Sequence, residues 1–274
     1  MRLSLGNGAG DSDIRSDGRG HSAGRSLGRE GCARSRPAGL RSRRYGYIRH
    51  ISRWPTRCGA AFAERIQATA TEVDVISPDL VILAGANGVG KTTFARANLT
   101  DYIDQQAFLN ADDIARDVNP SDVGSAAFEA GREMLSRRRT RLAQRLPFCI
   151  ETTLATRTLL RFIEEARDVG YQAKLVFLFT PFADINELRV KQRVMAGGHN
   201  IETDTIRRRH ALGLKYLTSY WTICDEGIVF DARTRSPFEI LRKDERGTRI
   251  IDTAGWSLLA ARIEASGGVP PKTD

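Results

Sequence analysis

The sequence predicts an α/β fold, a parallel sheet flanked by helices. Two observations lead there. From Asp79 onward, short apolar runs alternate with amphipathic stretches, the pattern of strands joined through helices in βαβ units. The first of those runs, residues 80–84 (LVILA), is continuously apolar and ends in a glycine-rich loop, as a strand buried on both faces does.

The elements come in order. Residues 80–84 make the first strand and residues 92–98 a helix after the loop. Residues 107–109 are a short second strand ending at Asn110. A helix is expected over 122–145, with Phe128, Gly131, Leu135 and Leu142 on its buried face. Residues 147–150 read as the third strand. Residues 156–169 form an amphipathic helix that turns Leu159, Phe162, Ile163 and Ala166 inward and stops at Gly170. Residues 173–180 (AKLVFLFT) make a fourth strand, 183–196 and 203–219 two more helices, and 227–230 (GIVF) a fifth strand. A short lead-in helix is expected within 59–72, inside a 58–77 linker. The globular domain is expected over 78–260, with 261–274 as a flexible tail.

Charge is distributed unevenly. The chain of 274 residues carries a formal net charge of +9. Residues 1–57 hold thirteen Arg and four acids, which leaves 29 basic and 29 acidic residues for the rest. The basic character therefore belongs to the N-terminal segment, and a nucleic-acid function for the body does not follow from the overall pI. That segment is rich in Gly, Ser and Arg, is too poor in apolar residues to offset the entropy of ordering, and is expected to be disordered. Residues 41–54 do interleave arginines with Tyr45, Tyr47 and Trp54, as RNA-binding segments do. The plainer expectation is a solvated tail, or translated sequence upstream of the true start. Cys32, Cys58, Cys149 and Cys224 show no metal-ligand or disulfide spacing, and Cys149 reads as a buried free thiol. No apolar run has membrane-spanning length and no secretory signal is present, so a cytoplasmic protein is expected.

Gly85, Ala86, Asn87, Gly88, Val89, Gly90, Lys91 and Thr92 fit GxxxxGK[ST] at every fixed position. Backbone N–H groups of such a loop, with the N-terminus of the next helix, cradle phosphate oxygens. Lys91 would bridge the β- and γ-phosphates, the Thr92 hydroxyl would ligate Mg²⁺, and Thr93 lies beside them. The preceding strand and following helix are the context this motif requires, so the chain is expected to bind ATP or GTP with Mg²⁺.

A P-loop alone does not distinguish a kinase from a switch or a motor. Asp112, just past the second strand, is placed where a carboxylate can take a proton from an attacking hydroxyl. Alternatively, it or Asn110 caps a helix, and Asp113 supports or caps. Glu151, Thr152 and Thr153 come after the third strand at the same edge, suited to holding a polar substrate, orienting Mg²⁺ or capping a helix. Arg189 and Arg193 lie four apart, Gly197, Gly198, His199 and Asn200 form a flexible turn, and Arg207, Arg208 and Arg209 come next. Together they read as a helical lid whose arginines neutralise a transferring phosphoryl group. His199 and His210 lack metal-ligand spacing, and Asp231 reads as a turn or cap residue.

The four segments PDLVILAGANGVGKTTFA, FLNADDIA, FCIETTLA and LRVKQRVMAGGHNIETDTIRRR, over about residues 78–232, resemble the zeta-toxin family of P-loop kinases, its short chromosomal branch in particular. The resemblance implies a P-loop kinase fold, use of ATP and Mg²⁺, and phosphorylation of the 3′-hydroxyl of UDP-N-acetylglucosamine, with a small helical antitoxin as partner. By position, Lys91 matches the P-loop lysine and Asp112 the base that deprotonates the sugar. Glu151 and Thr153 match the substrate-contacting E-x-T segment. Arg193 and one of Arg207–Arg209, with Arg208 preferred, match the pair gripping the ATP phosphates. The alternatives are a kinase for another nucleotide, cofactor or sugar hydroxyl, and a regulatory NTPase anchored to nucleic acid through its N-terminal segment.

Overall fold

The apolar run after Pro78 forms strand β1 (Asp79–Gly85), and its position inside the sheet, paired along both edges, explains its composition. The computed structural model describes residues 77–99, 107–119 and 125–274, all within one compact unit. The expected lead-in helix and the Arg-rich segment lie outside these residues.

Seven strands form one sheet in the order β2-β3-β1-β4-β5-β6-β7. The others are β2 (Phe108–Leu109), β3 (Phe148–Thr152), β4 (Gln172–Phe179), β5 (Glu226–Asp231), β6 (Phe238–Asp244) and β7 (Gly247–Ile250). β1 pairs in parallel with both β3 and β4, Leu80 standing opposite Phe148 on one side and Ala173 on the other. β2 joins β3 and β5 joins β4, also in parallel. The chain thus leaves β1 for the far edge, returns beside it, and crosses to the other side. The C-terminal ends of β1, β2 and β3 face one crevice, where such sheets bind ligands.

Seven helices are described: α1 (Lys91–Asn98), α2 (Ala111–Val118), α3 (Ala127–Gln144), α4 (Thr158–Asp168), α5 (Ala183–Met195), α6 (Thr203–Ile223) and α7 (Thr253–Ala265). In α4 the four residues expected inward, Leu159, Phe162, Ile163 and Ala166, are the buried ones. Gly170 stops it with φ +89°, the left-handed conformation glycine adopts without penalty. Phe148 packs edge-on against Phe162 and Tyr171, locking α4 to the sheet.

Three expectations need correction. In α3, Phe128 is 79% and Leu135 43% exposed, while Ala130 is 1% exposed. The buried stripe is Ala126 and Ala130 with Met134, packed on Ile114 and Ala115 of α2. Small residues win that face because α2 and α3 approach closely, leaving no room for Phe128. Second, the sheet is mixed: β6 pairs antiparallel with β5 and β7 antiparallel with β6, and α7 comes next, capped by the Asp252 carboxylate on the Gly255 N–H at 2.8 Å. Third, 261–274 is not a loose tail. Ile263 is fully buried. The Thr248 N–H donates to the Asp274 carboxylate at 2.7 Å, and the Asp274 N–H donates to the Thr248 carbonyl at 3.1 Å, so the last residue closes the edge of β7.

Candidate nucleotide and phosphoryl-transfer site

The loop after β1 takes the conformation its glycines permit. Gly85, Gly88 and Gly90 have φ of +144°, +82° and +106°. A Cβ on Gly88 would stand 2.5 Å from the carbonyl oxygen of Asn186, and one on Gly85 2.6 Å from that of Leu178. Both glycines are therefore required by close approach, of α5 and β4 respectively. Gly90 leads directly into α1, so the first N–H groups of that helix open onto the loop. Val89 and Ala86 are buried and Thr93 is exposed on α1.

Lys91 is buried, and its ammonium donates to the carbonyls of Gly85 at 2.8 Å and Ala86 at 3.1 Å. Its Nζ lies 3.7 Å from Glu151 Oε1, and Thr92 Oγ1 donates to Glu151 Oε2 at 3.1 Å. β3 places Glu151 beside β1, in register with Leu83. Burial pushes the Lys91 pKa down, opposed by the charges of Glu151 and Asp112. Burial likewise raises the Glu151 carboxyl, opposed by Lys91 and Thr92 and assisted by Asp113 and Asp112. Lys91 and Thr92 thus meet the Glu151 carboxylate directly, and the charge of Asp112 acts on both Lys91 and Glu151, a group gathered from three strand ends. A hydroxyl and a carboxylate side by side at the phosphate end of the loop are the hard oxygen donors that Mg²⁺ takes, so the residues fit that ion.

Asp112 stands exposed in the first turn of α2. The capping alternative falls to Asn110, whose side-chain oxygen accepts from the Asp112 N–H at 2.8 Å. Asp113 pairs with Arg116. Thr153 lies in the loop after β3, and its carbonyl contacts α6 at Gly213. Thr152 Oγ1 accepts the Leu154 N–H at 3.2 Å.

The arginines divide differently from expectation. Arg209 donates to Asn87 Oδ1 in the P-loop at 3.1 Å, and Arg189 donates to the Val89 carbonyl at 3.2 Å and the Arg233 carbonyl at 2.8 Å. Arg193 instead donates to the His199 carbonyl at 2.9 Å, bracing the Gly197–Gly198 turn. Arg208 is exposed, with no hydrogen bond among the described residues, and Arg207 pairs with Glu187 and Asp184. Arg209 replaces Arg208 as the inward member of the triplet because of the phase of α6. With about 3.6 residues per turn, position 208 falls opposite the face of Ile206, Leu214 and Leu217, which are buried. That phase was readable from the apolar spacing.

His210 is buried against the Thr180 carbonyl at 2.8 Å, a structural position. Asp231 accepts from the Arg233 N–H and pairs with its guanidinium, a turn residue as expected. Cys149 and Cys224 are free and buried. Among the described residues no helix is long and apolar enough to cross a membrane.

Fold and loop together have the arrangement of a P-loop domain. A family model described as an AAA domain matches residues 80–212. An uncharacterized protein of Haemophilus influenzae is 29% identical over 136 residues, 50% of this chain and 95% of that protein. Among solved structures, a chain of the PezAT chromosomal toxin–antitoxin system of Streptococcus pneumoniae superposes with a TM-score of 0.50 at 16% identity, over 75% of this chain and 94% of that one. The AvrRxo1-ORF1:-ORF2 complex with ATP does so at 0.54 and 13% identity, over 68% of this chain and 64% of that chain. The chain shares the fold of these two structures.

Proposed function

We propose that this protein is an ATP-dependent phosphotransferase acting on a hydroxyl of a small molecule, most specifically UDP-N-acetylglucosamine. The observation that carries the reading is the coupled group of Lys91, Thr92, Glu151 and Asp112. It sets a phosphate cradle and a metal-holding carboxylate at the neighbouring strand end beside a second carboxylate, Asp112, that can take the proton of an acceptor hydroxyl. The similarity to a structure containing ATP supports ATP as the donor.

Incoming phosphates take over the Lys91 ammonium from the Gly85 and Ala86 carbonyls, while the loop N–H groups and the α1 N-terminus orient them. Mg²⁺, when bound, would be held by Thr92 and Glu151 and would offset charge on the phosphate oxygens. Arg209 and Arg189 stand on the P-loop, ready to neutralise charge on the transferring group. Glu151 and Thr153 border the acceptor. Asp112 receives the proton of the acceptor hydroxyl as its oxygen bonds to the γ-phosphorus. The bond from that phosphorus to the bridging oxygen breaks and ADP leaves.

The zeta-toxin-like fold and the PezAT neighbour support a toxin held by a small helical antitoxin. The test is transfer itself: protein, ATP, Mg²⁺ and a panel of UDP-sugars, nucleosides and free sugars, with products resolved by mass. Phosphorylated UDP-N-acetylglucosamine supports the full reading. A product on another hydroxyl retains the kinase and discards the sugar nucleotide.

A further inference from the structure

Helix α6 touches three separate parts of the site. Arg209 reaches Asn87 of the P-loop, and His210 bonds the Thr180 carbonyl after β4. Gly213 faces the Thr153 carbonyl. Further along, the Tyr220 hydroxyl donates to the Thr156 carbonyl at 2.6 Å. The nucleotide loop and the loop after β3 are thus referenced to one rigid element.

Gly213 sits in the interior of a 21-residue helix, where glycine is unfavourable. Its reason is contact: a Cβ there would lie 2.6 Å from the Thr153 carbonyl oxygen. Gly213 also lines a small crevice with Ala86, Thr180 and His210, so it borders the P-loop as well. The loop it faces is held in an unusual shape. Leu154 is buried with φ +54°, a left-handed conformation that a leucine keeps only where its surroundings fix it. The helix is the stiffer party, since Ile206, Leu214, Leu217 and Tyr220 anchor it in the core.

We propose that Gly213 is a positioning residue that sets the depth of the acceptor side of the site. By letting α6 sit directly on the Thr153 carbonyl, it holds the Thr153 loop at a fixed distance from the P-loop. The proposal rests on the reading of Glu151 and Thr153 as acceptor-bordering residues. An added methyl moves the loop, not the anchored helix, so the acceptor suffers and the nucleotide does not.

The experiment uses the full chain, with Gly213→Ala and Tyr220→Phe as variants. Amide hydrogen exchange is monitored without substrates, and steady-state kinetics with ATP, Mg²⁺ and UDP-N-acetylglucosamine. In Gly213→Ala, exchange over 152–157 should quicken while 85–92 is unchanged. The acceptor KM should rise about tenfold or more, with the ATP KM within about twofold. Unaltered exchange at 152–157, or an ATP KM rising in step, overturns the proposal. If Gly213→Ala does not fold, Tyr220→Phe frees the loop's second anchor without adding atoms and should give the same split, more weakly; no split there overturns it too. A wild type that phosphorylates no sugar nucleotide overturns the substrate reading instead, and the exchange data still decide whether Gly213 positions the loop.

Discussion

The ammonium of Lys91 rests on two carbonyls and a carboxylate, partners that nucleotide phosphates would displace. Its place in the loop was legible because GxxxxGK[ST] fixes both spacing and context. The partner at Glu151 was legible only in outline: the end of β3 was recognisable, but its contact with Thr92 depends on β3 lying next to β1, which is sheet order and not local pattern. The arginines show the same limit. Substituting Arg209 by Ala should slow transfer about 10²-fold, whereas Arg208→Ala should leave it within about twofold; kinetics on the two variants distinguish the geometry from the sequence expectation. A second prediction concerns His210, whose pKa burial lowers from 6.5. The unfolded chain then binds a proton that the folded chain resists, so this residue's contribution to stability falls as pH drops below about 6.5. Urea midpoints across that range should decline less steeply for His210→Gln than for wild type; parallel slopes would remove His210 from the account.

Helix α3 carries the lesson at the element scale. Its existence was plain from the sequence, yet of the face expected inward Phe128 and Leu135 are exposed, while Leu142 packs on the core. The contact with α2 is made by Ala126 and Ala130 with Met134. Phe128→Ser should therefore change stability by no more than about 0.5 kcal/mol, while Ala130→Leu should destabilise by about 1–3 kcal/mol through overpacking. Thermal and chemical denaturation of the two variants test this. Strands β6 and β7 went unread because their charged segments lack the continuous apolar signature of a buried strand. The Asp252 cap of α7 and the turn glycine at 247, φ +115°, were the available signals.

At the scale of the whole molecule, charge and chemistry occupy different parts of the chain. The thirteen arginines and four acids of residues 1–57 account for the net charge, while every residue of the proposed site lies between Gly85 and Gly213. Deleting residues 1–57 should leave phosphoryl transfer within about twofold and remove any salt-sensitive nucleic-acid binding. Loss of transfer on deletion would instead join the segment to the site. The acceptor was not legible in the residues themselves, since its recognition depends on how the loops after β2 and β3 pack. The most direct measurement compares wild type with Asp112→Asn, using ATP, Mg²⁺ and UDP-N-acetylglucosamine and reading the phosphorylated product by mass alongside ATP binding. The wild type should give product, the variant should lose about 10²–10⁴-fold in rate, and both should retain ATP affinity. Equal transfer by the two proteins, or none by the wild type, would contradict the proposed function.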